Sequence, residues 1–351
     1  MSLTILSVAF PLAPVSPDAA GGSEQILSML DRAIVAAGHR SVVVAQEGSQ
    51  VVGTLVQVPA PVGLLDEDAR EMGQAATRAA VASALARYPV DLVHMHGLDF
   101  YTALPPPGPP VLATLHLPPS WYPAEALRPS RPDTWLHCVS GSQQGGCGAG
   151  DSFLPPIPNG IDVEALQARH AKRDYAMFLG RICPEKGVHV ALDAARAAGI
   201  PLLIAGELFP YAEHRRYFEE EVQPQLGPRY RFLGPVGFAR KRRLLTAARC
   251  LLVPSLVPET SSLVAREAAA CGTPVVAFPN GALSEAVEHG RTGFLVDDVE
   301  GMAAAIRRAG EIDPELCRAT ARLRFSKEKM IAAYFDLYSR LAAGRLLHGA
   351  A

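Results

Sequence analysis

Short unbroken apolar runs alternate along the 351-residue chain with longer stretches whose apolar positions recur every three or four residues. The first pattern suits strands buried on both faces, and the second suits helices with one buried face. In the first half the strand runs are LTILSVAF, RSVVVAQ, TLVQVP, VDLVHMHG, PVLATLH and TWLHCVS. In the second half they are YAMFLGR, PLLIAGE, YRFLGPV, CLLVPS, PVVAF and GFLV. Between the first two runs, Ile26, Leu27, Leu30, Ile34 and Ala37 keep helical spacing, and Gly38 is expected to end that helix. Strands interleaved with helices predict an α/β chain of parallel sheets. The alternation passes twice, so two Rossmann-like, doubly wound domains are expected, residues 1–155 and 156–325, facing each other across a cleft. The join falls in the Pro- and Gly-rich stretch GDSFLPPIPNGIDVEALQARHAKRD. Residues 326–351 read as a terminal amphipathic helix that can cross back to the first domain.

The length suits two domains better than one core. With 49% apolar and 19% charged residues, the chain has the composition of a globular protein and not of a disordered one. No apolar run approaches the ~20 residues of a membrane-spanning helix, so no integral membrane association is expected. MSLTILSVAF lacks a basic start and reads as a first strand, not a leader. Six cysteines form no CxxC pair, so reduced thiols and a cytoplasmic location are expected. His137–Cys138 with Cys147 is a loose cluster of metal-ligand types, without the second tight pair that would complete a zinc site. The net charge of −2 excludes a cationic surface built for nucleic acid. Residues 1–150 hold 12 acids against 7 arginines and no lysine, a net of −5; the remainder holds 23 acids and 26 bases, a net of +3. An anionic ligand is therefore expected on the second half.

Ligands of open α/β sheets bind at the carboxyl ends of the strands. The unusual residues fall there: Gly21-Gly22 after the first run, His96 and His116 at the ends of two others, then Arg181, Glu207, Pro235, Glu259 and Asn280-Gly281. In LGRICPEKG, Arg181 leaves a strand and Lys186 precedes a helical stretch that begins at Gly187-Val188. An open helix N-terminus, a guanidinium fork and an ammonium together suit a diphosphate. The plain alternative is a solvated Arg and Lys in a loop. In PETSSLVAREAAACG, Glu259 lies in the loop after a strand and Glu267 lies about two turns along, with Gly272 as the helix stop. Ser261 or Ser262 is the expected N-cap. The two carboxylates can address two parts of one elongated ligand, or serve as a capping acid and a surface glutamate.

Taken together, LGRICPEKG, the acid-x7-acid pattern from Glu259 to Glu267, AAACGTPVVAFPNGALSEAVEHGRTGFLVDD, PNGID and the early GGSEQ resemble family 4 glycosyltransferases, retaining enzymes of the GT-B fold. Natural-product sugar transferases are the most similar members. The resemblance implies a hexosyltransferase-like enzyme that moves a sugar from a nucleoside-diphosphate sugar, a UDP-sugar, to an acceptor hydroxyl with retention. It implies no metal and no cofactor beyond the nucleotide-sugar co-substrate, with a small-molecule acceptor as the other partner. Catalytic roles pass to Arg181 and Lys186 at the departing diphosphate, to Glu259 at the sugar hydroxyls and to His116 near the reaction centre. Donor binding passes to Gly21 and Gly22, to Pro235 and Val236 at the base, to Thr260, Ser261, Ser262 and Leu263 around sugar and phosphate, and to Glu267 at the ribose. The first domain would take the acceptor and the second the donor. The cleft would close by hinge motion at the join and the tail helix.

One departure stands out: the family usually carries an aromatic residue and a Gly where this chain has Ser261 and Ser262. Retention would follow from front-face attack, the leaving phosphate taking the acceptor proton. Three further features are weaker. His94 and His96 are expected on opposite faces of their strand, with His96 toward the cleft on the acceptor side. Trp121 and Tyr122, among prolines, form either a loop packed on its own aromatics or an acceptor wall. RKRR at 240–243 reads as a solvated helix face. A nucleotide-sugar epimerase of the same fold and a non-catalytic nucleotide-sugar binding protein are the competing readings. A dinucleotide-dependent oxidoreductase would need a GxGxxG after a strand, which the sequence lacks.

Overall fold

The computed structural model describes residues 2–148, 150 and 152–344. The described residues of Met1–Asn159 and Glu328–Ala351 form one compact unit, and Gly160–Lys327 forms another. The chain thus changes unit four residues past the expected join (159 against 155), and again after Lys327. Positions 345–351 of the expected tail helix lie outside the described residues.

The first unit holds β1 (Thr4–Val8), β2 (Arg40–Gln46), β3 (Thr54–Val58), β4 (Leu92–Met95), β5 (Val111–Leu115), β6 (Thr134–Cys138) and β7 (Phe153–Leu154). They form one parallel sheet in the order β3-β2-β1-β4-β5-β6-β7. Strands β1, β4 and β5 are buried along their whole length, as continuous apolar runs demand of a sheet covered on both faces. The helix Gly22–Ala36 buries Ile26, Leu27, Leu30 and Ile34 on one face, and Gly38 follows it at φ +78°. The helix Lys327–Ala342 buries Tyr334 and Tyr338 completely.

The second unit holds β8 (Ala176–Leu179), β9 (Leu202–Ala205), β10 (Tyr230–Phe232), β11 (Cys250–Val253), β12 (Val275–Ala277) and β13 (Gly293–Leu295), parallel in the order β10-β9-β8-β11-β12-β13. All twelve expected strands are present, and β7 is an addition: two residues in a Pro- and Gly-rich join give no periodicity to read. In each sheet the winding reverses once, between β1 and β4 and between β8 and β11. Such a reversal point, at the carboxyl ends of the strands, is where open α/β sheets bind their ligands. Among the described residues no helix is long and apolar enough to cross a membrane.

Candidate active site

Arg181 and Lys186 follow β8, and Glu259 follows β11, so the three residues flank the reversal point of the second sheet. Local packing explains their meeting. Gly187 sits at φ +66°, and a Cβ there would fall 2.3 Å from the Pro254 carbonyl oxygen, so only glycine lets the turn after β8 press on the loop after β11. The Leu256 N–H donates to the Glu185 carbonyl across this contact, 2.8 Å. On the other side, Gly281 at φ +62° lets Ala282 N–H donate to the Glu259 carbonyl, 2.8 Å, while Asn280 Nδ2 donates to the Ser255 carbonyl, 2.6 Å. The result is an ion pair, Lys186 Nζ to Glu259 Oε1 at 2.5 Å. Burial works against a charged Glu259, yet the neighbouring Lys186 ammonium, a Ser255 hydrogen bond and Arg181 hold its carboxyl below the usual carboxylate range. Arg181 therefore shares the field of this pair.

Glu267 is the fifth residue of the helix Leu263–Ala270, which begins only after Ser262. It is buried and paired with Lys241, Nζ to Oε1 2.7 Å, the two side chains only 10% and 7% exposed. Lys241 corrects the reading of RKRR as a solvated face. Its helix, Phe238–Ala247, points one of the four cations inward, where a buried carboxylate pays back its desolvation. Charge runs hide such a residue because composition does not reveal a partner 26 positions away.

Ser262 is the N-cap of the Leu263–Ala270 helix but makes no side-chain cap bond. Its backbone is left-handed at φ +53°, a conformation that glycine adopts without strain and that turns its hydroxyl away from the helix amides. Ser261 Oγ and Ser262 Oγ are both buried with no hydrogen-bond partner. Thr260 and Leu263 bracket them, and Leu263 is buried. Pro235, exposed, and Val236, half-buried, follow β10 as expected.

The first unit holds the remaining candidates. Gly21 caps the helix Gly22–Ala36 in extended backbone, and a Cβ on it would fall 1.9 Å from Glu24 Oε2. The chain's own buried carboxylate thus lies over this N-terminus, with Ser23 Oγ donating to it at 2.9 Å. Tyr122 is buried in the apolar core beside Phe100, and its hydroxyl accepts from the backbone N–H groups of His116 and Leu117 at 3.0 and 3.1 Å. Of the aromatic pair it serves the interior, while Trp121 is 44% exposed.

His94 and His96 do not lie on opposite faces. Side chains alternate with period two, so residues i and i+2 share a face, and the two rings lie 3.8 Å apart between centroids. They belong to a hydrogen-bonded chain whose direction the geometry sets. His137 Nδ1 donates to the Cys138 carbonyl at 3.0 Å, so its neutral ring accepts at Nε2 from Thr114 Oγ1, 2.7 Å. Thr114 in turn accepts from His94 Nε2 at 2.7 Å, leaving the single lone pair of His94 Nδ1 to accept from Tyr338 Oη at 2.7 Å, with His96 Nε2 3.1 Å from the same nitrogen. His96 Nδ1 lies 3.3 Å from His116 Nε2, within hydrogen-bond distance. Burial, with repulsion from neighbouring histidines second, pushes His94 and His96 well below the usual imidazole range and His116 to about 3, while burial alone takes His137 to about 4 against its hydrogen bond to the Cys138 carbonyl, so all four rings are neutral. The period-two pattern could have placed His94 beside His96; nothing in the sequence points to Thr114, His137 and Tyr338.

A model of the family described as Glycosyltransferase Family 4 matches residues 20–140, and one described as Glycosyl transferases group 1 matches residues 173–311. The glycogen synthase of Mycobacterium tuberculosis (strain ATCC 25618 / H37Rv) is 34% identical over 186 residues, 50% of this chain and 44% of that protein. The chain spans less than half the length of the curated relatives it matches. AviGT4, a glycosyltransferase involved in avilamycin A biosynthesis, superposes with a TM-score of 0.75 at 27% identity, over 97% of this chain and 98% of that one. HepE of Anabaena, solved with UDP-glucose, shares the fold at TM-score 0.75 and 20% identity, over 96% and 99% of the two chains.

Proposed function

We infer the chemistry from one premise: the chain belongs to the family 4 glycosyltransferases, of the GT-B fold. The reaction we propose is transfer of a sugar from a nucleoside-diphosphate sugar to an acceptor hydroxyl with retention, with UDP-glucose as the first donor to test. HepE, a protein of the same fold, was solved with that molecule. The observation that carries the reading is the grouping of Arg181, Lys186 and Glu259 at the reversal point of the second sheet.

In this reading Arg181 and Lys186 bind the diphosphate and meet the charge that grows on it as the glycosidic bond breaks. Glu259 is held ionised and accepts hydroxyls of the sugar, the ammonium of Lys186 being shared between its carboxylate and the phosphate. Glu267, aligned by Lys241, accepts the ribose hydroxyls. The unpartnered hydroxyls of Ser261 and Ser262 supply donors and acceptors that a ligand at this helix start would satisfy. With the side chains supplying the leaving-group charge, the transfer step needs no catalytic metal, and added magnesium should not raise the rate. A glutamate engaged by a lysine is a poor nucleophile, so front-face attack, with the leaving phosphate oxygen taking the acceptor proton, accounts for retention better than a glycosyl-enzyme. Proton NMR of the product tests this. An α-linked product from an α-linked donor is expected, and a β-linked product would overturn it.

A further inference from the structure

One group of side chains in the second unit is not used by the transfer chemistry. Cys183 Sγ, a Glu185 carboxylate oxygen and a ring nitrogen of His214 all lie within 4.8 Å of one another. Cys183 and Glu185 come from the turn after β8, and His214 from the helix Ala212–Tyr217 that follows β9. Cys183 is fully buried and His214 is 8% exposed, yet His214 Nδ1 is buried with no hydrogen-bond partner. Buried imidazole nitrogens are normally satisfied. Here an unpaired nitrogen sits beside a thiol and a carboxylate. In a tetrahedral zinc site with bonds of about 2.3 Å to sulfur and about 2.0 Å to nitrogen, neighbouring ligand atoms are about 3.6 Å apart, so small side-chain shifts would close this triad on an ion.

We propose that Cys183, Glu185 and His214 bind one zinc ion, with a fourth position for a water or another oxygen ligand. Thiolate, imidazole and carboxylate together are a donor set that favours zinc over magnesium or calcium. The ion would tie the turn carrying Lys186 to the helix Ala212–Tyr217, a structural role separate from the transfer step. Binding moves one proton: the Cys183 S–H gives its proton to solvent and its sulfur electron pair to zinc. Glu185 enters already ionised and His214 already neutral. Burial keeps the ion-free Cys183 a thiol, up at about 12, and holds His214 below its usual value. Arg181 and Lys186 are the opposing charges in this neighbourhood, and Glu213 and Glu185 the favouring ones.

The test is metal binding by the full chain, independent of any donor or turnover. Protein stripped with a chelator is titrated with zinc against a chromophoric zinc indicator, and with cobalt(II) in place of zinc. One equivalent should bind, and cobalt should give a thiolate-to-metal charge-transfer band. Cys183→Ser should remove the band and weaken zinc at least about tenfold, and Glu185→Gln should weaken zinc with the band retained. Zinc should raise the melting temperature of the wild type and not of Cys183→Ser. Cys147→Ser should change nothing, which guards against metal on the Cys138–Cys147 pair, whose sulfurs are 3.3 Å apart. Folded wild type that takes up no zinc, or a band that survives Cys183→Ser and disappears in Cys147→Ser, would overturn the proposal. A UDP-induced thermal shift on zinc-free protein keeps the donor reading separately testable.

Discussion

Replacing Lys241 with alanine leaves the Glu267 carboxylate buried without its partner. The pair is 2.7 Å apart with side chains 10% and 7% exposed. At an effective dielectric of 20 the Coulomb attraction is about 332/(20 × 2.7), or about 6 kcal/mol, and desolvation of both ions offsets most of it. The net value of the pair is therefore small, but the loss of one member is not: breaking a buried pair costs about 3–5 kcal/mol. In a unit of this size that corresponds to a fall in melting temperature of about 6–20 °C. Urea unfolding followed by circular dichroism measures the free energy directly. The double variant Lys241→Met/Glu267→Gln, which removes both charges, should recover most of the loss and give a coupling energy above about 1 kcal/mol. A Lys241→Ala change within about 0.5 kcal/mol of wild type, typical of a surface position, would refute the buried pair and with it the argument that Lys241 aligns Glu267.

Two further outcomes follow from backbone strain and from the neutral histidines. Ser262→Gly should stabilise the protein by about 1 kcal/mol, because glycine relieves the left-handed strain at φ +53° and removes a buried unpaired hydroxyl; a melting temperature at or below wild type would contradict the strain. The folded pKa of His137, about 4, lies below its unfolded value of 6.5, so between these values the unfolded state binds the extra proton. Stability is then complete above about pH 6.5 and falls with pH through the window, by on the order of 3 kcal/mol from His137. Urea midpoints that stay flat across that window would show the ring protonated or exposed in the folded state.

The fold was largely legible because its signals are local. Every strand run long enough to show a period is a strand, and the spacing of Ile26, Leu27, Leu30 and Ile34 gives both the first helix and its buried face. Residues at strand ends were legible for the same reason: strand order places Arg181 and Glu259 on adjacent strands once β8 and β11 are known to pair. What escaped depends on partners distant in sequence. Lys241 looks like one of four equivalent cations until its helix is seen against Glu267. His94 finds Tyr338 across 244 positions, and His214 reaches Cys183 from a separate strand-to-helix unit. Ser262 escaped for another reason: its left-handed backbone breaks the local rule that serine at an N-cap accepts from the helix amides.

The central claim is that the cations after β8 hold a donor diphosphate, and calorimetric titration of UDP into wild type and Arg181→Ala tests it most directly. The account predicts one UDP per chain for wild type and affinity at least about tenfold weaker, or about 1.4 kcal/mol, in the variant, with unchanged unfolding. Equal affinity in the two proteins, or no binding of UDP by the wild type, would contradict it.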